Sequence, residues 1–258
     1  MTRTKAALLH LVVSALVVGS VLALVFLAWY PDYLFALSGA ISPILVMVGV
    51  DVTLGPLLTF VVFKPGKPGL KFDLAAIFTV QAVALLYASF TLFTARPYFL
   101  VFAEDSYAAV AAVAVDMSAL DFDELGPKPL IGPVKVFAEL PQEAAARQAF
   151  LDAVLFDGEP DLQYRSELYR PYSDGAAKIR AAARRIEDFV AANTNEEQEI
   201  ASAMKRFGED HPALGIVPTL SIVDDFALVI DLDSLEPLAA IRVNAWQQTE
   251  QAEITETN

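Results

Sequence analysis

The sequence contains no cysteine and only two histidines, and these shortages exclude several kinds of chemistry. Without cysteine the chain has no disulfide, no thiolate nucleophile and no cysteine zinc site. The histidines, His10 and His211, lie in an apolar run and in a distant acidic region, so we do not expect them to share a site. Motifs of nucleotide-binding loops, zinc proteases and serine hydrolases are also missing. We therefore expect no catalytic residue, no metal and no cofactor.

Charge is scarce in the first part of the chain. Residues 1–94 carry five cationic and three acidic side chains, whereas the remaining 164 residues carry 13 and 29. The formal net charge of −14 is therefore the sum of +2 and −16. Such a strongly acidic second part makes nucleic acid an unexpected partner. The contrast predicts an apolar membrane region followed by an acidic soluble domain.

The membrane region, residues 1–95, is predicted to contain three transmembrane helices, at about residues 6–29, 40–63 and 74–95. The first run has 24 residues without a charged side chain. As a helix it is about 36 Å long, against a hydrocarbon core of about 30 Å. It ends in Trp29-Tyr30-Pro31 and is followed by more apolar sequence, which indicates an uncleaved anchor rather than a signal peptide.

The direction of the spans follows from the cationic side chains. Residues 64–71 form a short loop with two Pro-Gly breakers and the lysines Lys64, Lys67 and Lys71. Short cationic loops stay in the cytoplasm, and the N-terminus, with Arg3 and Lys5, carries the same signal. Three crossings then place the rest of the chain across the inner membrane, in the periplasm of a Gram-negative bacterium.

Residues 96–246 are predicted to form a periplasmic α+β domain with a mainly antiparallel sheet. Strands are expected at 98–103, 109–115 and 134–137, and three apolar runs separated by acidic turns follow Leu214. Helical spacing predicts helices at 141–156, 176–192 and 194–208. Residues 247–258 lack apolar side chains, so we expect a disordered tail.

Asp51 is the one charged residue in the second predicted span. A carboxylate at such depth costs roughly 2.5 to 3.5 kcal/mol, so it should be neutralised, hydrated or paired. Three roles are open: contact with a polar group of another membrane protein, an internal hydrogen bond, or transport of an ion or proton. The candidates for the internal partner are Gln81 and the hydroxyls of Thr53, Thr59 and Tyr87.

Gly55 and Pro56 are predicted to weaken the same helix. Proline lacks an N–H and frees the carbonyl four residues earlier, which is that of Val52. A spare acceptor beside Asp51 would make a polar notch, which serves partner binding or is an ordinary proline kink. His10, one turn from Ser14, is interpreted as a helix-packing residue.

In the acidic domain, Tyr169, Arg170 and Tyr172 are the candidate contacts with a partner. Tyrosine and arginine are enriched at binding hot spots, which indicates a peptide-facing surface. The alternative is a rigid connecting segment whose tyrosines pack on the core. Acid pairs such as Asp231 and Asp233 are interpreted as solvated turn residues.

Several of these stretches resemble the TfpX/TfpZ (FimB-like) type IV pilin accessory proteins. The resemblance lies in residues 48–59 (VGVDVTLGPLLT), 63–67 (FKPGK), 70–74 (LKFDL), 29–31 (WYP) and 96–97 (RP). In the acidic domain it is carried more loosely by residues 169–172 (YRPY) and 226–230. It implies an inner-membrane protein that binds type IV pilin and assists its stability or its assembly into pili, with no catalytic residues.

Two other functions are consistent with the sequence. The strand and acidic-turn pattern of residues 226–241 also resembles extracytoplasmic Cache-like domains, which would make the protein a membrane-anchored ligand sensor. An envelope enzyme that uses the region of Asp231 and Asp233 is the third interpretation, although no nucleophile or histidine partner accompanies these acids.

Overall fold

The computed structural model describes residues 1–31, 33–125, 131–192, 194–221 and 224–246. The predicted disordered tail lies outside the described residues. The chain divides into two compact units. The first, called the helical unit, contains residues 1–31 and 39–95, and the second, called the sheet domain, contains residues 32–38 and the chain from residue 96 onward.

The helical unit is built from three long apolar helices, which confirms this half of the predicted fold class. The helices span Arg3–Trp29, Ile41–Val62 and Leu70–Ala95, with 27, 22 and 26 residues. At 1.5 Å per residue the shortest is about 33 Å long, enough to cross a hydrocarbon core of about 30 Å. Leucine, valine and phenylalanine side chains cover much of their exposed surface, as expected for helices surrounded by lipid.

Two of the long helices contain a wide turn in which hydrogen bonds join residues five apart. One π-helical turn ends the first helix at Val25–Trp29, and the other occupies Gly49–Leu54 in the second helix. There the Gly55 N–H donates to the carbonyl of Val50. This wide turn ends at Leu54, two residues before Pro56, which has no N–H and interrupts regular α-helical bonding.

The second long helix packs against both of the others. The first and third helices meet at one end, where the Tyr30 hydroxyl donates to the carbonyl oxygen of Leu92 at 2.8 Å. The rings of Trp29 and Phe93 lie beside this bond, edge to face, with their centroids 5.3 Å apart. Farther along, one residue from each helix is buried in a shared cluster of Val18, Met47 and Ala88.

The sheet domain contains a mixed sheet. In the described residues its strands are β1 (Pro97–Ala103), β2 (Ser106–Ala111), β3 (Val134–Ala138), β4 (Tyr169–Pro171), β5 (Arg184–Arg185), β6 (Leu214–Leu220), β7 (Phe226–Asp231) and β8 (Pro237–Ile241). Their order is β4-β3-β1-β2-β6-β7-β8, and β5 pairs with β6. The pairs β1/β3 and β2/β6 are parallel and the others are antiparallel, which confirms the α+β class with a mainly antiparallel sheet.

Helices and a connecting segment cover the two faces of this sheet. The helix Ala176–Ala182 lies on one face, and the helices Ala144–Phe156 and Thr194–Phe207 lie on the other. The short helix Leu34–Ser38, which connects the first two long helices, also belongs to the domain. Its Leu37 is 4% exposed and packs in the same cluster as Leu100 and Leu228. This connection is therefore part of the domain core.

The helix predicted at 176–192 is wrong in its second half. It ends at Ala182, and the chain continues as β5, where Arg184 pairs with Ile216. The apolar residues that suggested one helical stripe serve two faces of the sheet, since Ile179 is buried in one core cluster and Ile186 in another. Periodicity within the segment does not distinguish these two arrangements.

Candidate functional site

The candidate site lies in the helical unit, at the wide turn that contains Asp51. The Asp51 side chain is buried, with 4% of the residue exposed. Its Oδ2 atom has no hydrogen-bond partner among the described residues. Among the buried side-chain nitrogen and oxygen atoms of these residues, only Thr219 Oγ1 of the sheet domain shares this property. A buried carboxylate oxygen without a donor is costly, so this atom marks the site.

Gln81 of the third helix contacts the backbone of the wide turn. Its Nε2 donates to the carbonyl oxygen of Asp51 at 3.1 Å. The bond repairs a defect left by proline: Gly55 bonds five residues back, and the same spacing would direct the missing N–H of Pro56 at Asp51. In this π-helical turn the missing N–H of Pro56 therefore corresponds to the carbonyl of Asp51, one residue before the carbonyl of Val52 that α-helical spacing predicts.

Gly55 makes room for this contact. A Cβ atom on Gly55 would lie 2.1 Å from Gln81 Nε2 and 2.6 Å from Gln81 Cδ. A residue with a side chain at this position would therefore overlap with the amide. Gly55 and Pro56 act together, because the proline leaves an acceptor unpaired and the glycine lets Gln81 reach it.

His10 of the first helix completes the cluster. Its Nδ1 lies 2.6 Å from Thr59 Oγ1, and its Nε2 lies 2.8 Å from Gln81 Oε1. One imidazole thus connects the second and third helices to the first. Sequence reasoning treated His10 as a packing residue and named Thr59 only as a possible partner of Asp51. The available signal was that each of the three apolar runs contains a polar residue.

The cluster lines a cleft of about 520 Å³. The cleft runs between the first and third helices, with the second helix as its floor. Most of its walls are apolar side chains, and its polar members are few. The lining residues are Met1, Ala6, Leu9, His10, Val13, Ser14, Val17, Val18, Asp51, Thr59, Phe63, Leu74, Phe78, Gln81, Ala82 and Leu85.

The three lysines of the predicted topology signal lie at the ends of the second and third helices. Lys64, Lys67 and Lys71 are all exposed. Lys67 Nζ forms an ion pair with Asp73 Oδ2 at 2.6 Å, and both side chains remain partly exposed. An exposed pair of this kind contributes little to stability. The three exposed lysines therefore place positive charge on the surface of this loop.

The tyrosines of the 169–172 segment pack inward. Tyr169 is 3% exposed, and its hydroxyl donates to the carbonyl of Gln163 at 2.6 Å. The Tyr172 hydroxyl donates to the carbonyl of Leu235 at 2.7 Å and lies 2.5 Å from the Tyr107 hydroxyl. Burial raises the pKa of Tyr172 to about 12 and raises the pKa of Tyr169. This geometry corresponds to the rigid segment considered as the alternative.

Arg170 is the exposed member of that segment. Its Nη1 donates to the carbonyl of Tyr169 at 3.0 Å, and the rest of the side chain faces solvent. The buried tyrosines on either side hold the backbone that carries it. A partner can therefore reach the guanidinium, whereas the Tyr169 side chain is covered and the Tyr172 side chain is partly covered.

Asp231 belongs to a hydrogen-bonded turn at the end of β7. Burial raises its pKa, but bonds from the Ser234 hydroxyl at 2.7 Å, from the Asp233 N–H and from His211 outweigh burial, so the pKa is lowered overall. In the described residues no group of three or more histidines and acids could hold a metal ion. The geometry of Asp231 is that of a closed turn.

Known proteins are similar to this chain, some over a short segment and some over most of its length. A family model described as "Fimbrial assembly protein FimB" matches residues 1–39. The "Fimbrial assembly protein, serogroup E1" of Dichelobacter nodosus is 25% identical over 245 residues, which cover 93% of this chain and 94% of that protein. The serogroup I protein of the same organism is 28% identical over 205 residues, or 77% of each chain.

A third relative decides the family. The "Fimbrial assembly protein, serogroups C1 and C2" of Dichelobacter nodosus is 37% identical over 102 residues, which cover 38% of this chain and 74% of that protein. The chain belongs to the FimB fimbrial assembly protein family. The family is not named for an enzymatic activity. No solved structure matches this FimB family member.

The part of the chain that the FimB family model matches carries two features of the structure. Residues 1–39 include His10, which bonds to both other long helices, and the helix Leu34–Ser38, which packs in the sheet domain. The match therefore covers a segment that contributes to the cores of both units.

Proposed function

We propose that this fimbrial assembly protein binds type IV pilin in the inner membrane and the periplasm and assists its stability or its assembly into pili. The unpartnered Oδ2 of Asp51 carries the proposal, because it offers a polar contact inside an apolar cleft. Family membership supports a role in fimbrial assembly and favours it over the ligand sensor and the enzyme. The pilin is the partner that such a role requires.

The proposed topology places the N-terminus in the cytoplasm and the sheet domain in the periplasm. Lys64, Lys67 and Lys71 support this direction, because cationic loops stay inside. The position of the helix Leu34–Ser38 supports the proposal that the chain crosses the membrane three times. It follows the first long helix and packs in the same domain as the chain after the third, so both connections lie on one side of the membrane.

The intramembrane contact is proposed to be made by Asp51 with Gly55, Pro56 and Gln81 around it. Gln81 occupies the backbone carbonyl of Asp51, and the carboxylate stays available for a donor on another chain. A hydrogen bond to a charged group contributes about 1.5 to 3 kcal/mol, and a buried site favours the upper part of that range. Binding thus offsets the cost of burying the carboxylate.

In the periplasm, the proposed contact is the exposed guanidinium of Arg170. Tyr169 and Tyr172 position it through their buried hydroxyls and do not touch the partner themselves. Because the rest of the domain is strongly acidic, an isolated arginine favours an acidic patch on the partner.

The test is substitution of Asp51 in cells that assemble pili. Asp51→Asn and Asp51→Leu should lower crosslinking to pilin and surface piliation by about tenfold, since losing a buried charged contact costs at least about 1.4 kcal/mol. Membrane levels of the protein should stay normal. Asp73→Asn is the matched control, because Asp73 is an acid of the same unit in an exposed ion pair. Unchanged piliation and crosslinking in the Asp51 variants would refute the proposal.

A further inference from the structure

The hydrogen bonds of the cleft define what kind of group Asp51 lacks. Gln81 Nε2 donates to the Asp51 carbonyl, so Gln81 Oε1 faces His10 and accepts from its Nε2–H. The other ring nitrogen, Nδ1, shares a hydrogen bond with the Thr59 hydroxyl. These three side chains satisfy one another, and Asp51 Oδ2 remains without a donor.

Asp51 is the one acidic side chain among the residues that line the cleft. Both ring nitrogens of His10 are engaged by Thr59 and Gln81, so neither is directed at the Asp51 carboxylate. An ionised carboxylate in an apolar site is stabilised most by a cationic donor. An anionic ligand would be repelled, and a purely apolar ligand would leave the Oδ2 atom unpaired.

The depth of Asp51 in the membrane indicates that the cleft binds a helix rather than a lipid. Asp51 is the eleventh of the 22 residues of Ile41–Val62, so it lies near the middle of that helix. A lipid keeps its charged groups at the membrane surface, whereas a transmembrane helix can carry one at this depth. A second copy of this chain offers no lysine or arginine at this depth, because none lies between Lys5 and Lys64 or between Lys71 and Arg96.

The cleft also has a defined opening. It is lined by residues 6–18 of the first helix and 74–85 of the third, the parts nearest the N-terminus and the lysine loop. At the other end the bond from Tyr30 to Leu92 and the contact of Trp29 with Phe93 hold the two helices together. A partner can therefore enter in the half of the membrane next to the lysine loop.

We propose that the cleft binds a transmembrane helix of the partner that carries a cationic group at the level of Asp51, and that this helix enters between the first and third helices beside the lysine loop. The inference rests on the proposed function for the identity of the partner as pilin. The apolar walls receive side chains of that helix, and the carboxylate pairs with its cation.

Photo-crosslinking in intact cells tests the position of the partner. A benzophenone amino acid is placed in full-length protein at Val17 or Leu85, which line the cleft, and as controls at Leu16 or Leu86. The control side chains are exposed on the same helices outside the cleft lining. Crosslinks to pilin should be about tenfold stronger from the cleft positions, since side-chain contact is needed for capture.

Charge variants test the cation. Asp51→Asn should reduce the crosslink from Leu85 by about tenfold or more, while Asp51→Glu, which keeps the charge, should retain most of it. A crosslink that survives Asp51→Asn would refute the proposal that the partner carries a cationic group, because the amide of the introduced asparagine can still accept from a neutral donor. Crosslinks from the cleft positions to lipid or to a second copy of this chain would refute the proposal that a helix of the partner occupies the cleft.

The same experiment separates this inference from the proposed function. If pilin is co-isolated with the protein but captured equally from Val17 and Leu16, the cleft is not the site and pilin binding stands. If pilin is neither captured nor co-isolated and piliation is independent of the protein, the proposed function itself fails.

Discussion

Substituting Gly55 with alanine should uncouple the third helix from the wide turn. The added Cβ would lie 2.1, 2.6 and 2.9 Å from Nε2, Cδ and Oε1 of Gln81. These atoms form the mobile end of a flexible side chain, so the amide can rotate away without moving the backbone. The steric cost is therefore small, and the loss of hydrogen bonds determines the effect.

The size of the effect follows from the two bonds that Gln81 makes. Moving the amide removes its donation to the Asp51 carbonyl and its acceptance from His10. Hydrogen bonds between membrane helices contribute about 0.6 kcal/mol each on average and up to about 1.7. Alanine offsets up to about 1 kcal/mol through its helix propensity. We expect Gly55→Ala to lower the free energy of unfolding by about 0.2 to 2.4 kcal/mol.

Reversible unfolding in mixed micelles measures this change. Trp29 fluorescence in a Trp246→Phe background reports on the helical unit, because the Trp29 ring contacts Phe93 of the third helix. Gly49→Ala is the matched control, since a Cβ atom on Gly49 has nothing within 4 Å. That variant should be as stable as the parent or slightly more stable.

A double-mutant cycle identifies the cause. If Gly55→Ala acts by displacing Gln81, the variant that also carries Gln81→Ala should be no less stable than Gln81→Ala alone. Additive losses in the double variant, or a Gly55→Ala protein as stable as the Gly49→Ala control, would refute the reasoning.

Three further predictions concern the sheet domain, with Trp246 fluorescence in a Trp29→Phe background as the measurement. Leu37→Ala should destabilise the domain by about 2 to 5 kcal/mol, although this residue lies between the first two long helices, because its side chain is in the domain core. Tyr172→Phe should cost about 1 to 3 kcal/mol through its lost hydrogen bonds. Since the pKa of Tyr172 is raised to about 12, the parent should also lose stability as the pH rises above about 10, and the variant should lose less. Because the pKa of Asp231 is lowered in the folded protein, its carboxylate stabilises the domain at pH values above the pKa that it has in the unfolded chain. This stabilisation is lost as the pH falls below about 4, and Asp231→Asn should flatten that acid dependence.

Each of these predictions has a control of the same chemistry. Leu45→Ala removes an exposed side chain of the second helix, Tyr164→Phe a partly exposed hydroxyl, and Asp210→Asn an exposed acid. A Leu37→Ala protein that unfolds like the Leu45→Ala control would show that the connection does not stabilise the domain. Equal alkaline or acid profiles between the Tyr172 or Asp231 variant and its control would contradict the assigned pKa shifts.

The fold was predictable where one physical signal dominates a long segment. The three apolar runs predict helices because nothing but an apolar environment accommodates them. The three runs after Leu214 predict strands because each is bounded by acidic turns. The segment from Ala176 to Ala192 was predicted incorrectly. Its apolar residues have helical spacing in the sequence, but in the structure they pack on different faces of the sheet.

The candidate site was predictable only in its parts. A lone acid in an apolar run identifies Asp51, and Gly55-Pro56 identifies a helix defect beside it. The wide turn directs the missing bond of Pro56 at the carbonyl of Asp51, to which Gln81 donates instead. A spacing rule based on α-helices points to Val52 and does not anticipate this shift. Tyr169 and Tyr172 show the opposite case, because composition suggested a surface and burial placed both hydroxyls inside.

The sequence by itself determined the division into an apolar helical part and an acidic α+β part, because hydrophobicity and charge act on every residue whatever its neighbours. It also determined that an acid must be accommodated among apolar helices. Only the tertiary structure decided how this happens. His10, Thr59 and Gln81 come from three separate helices, and their distances depend on packing that local pattern does not encode. Because they satisfy one another, no described residue donates a hydrogen bond to Oδ2 of Asp51.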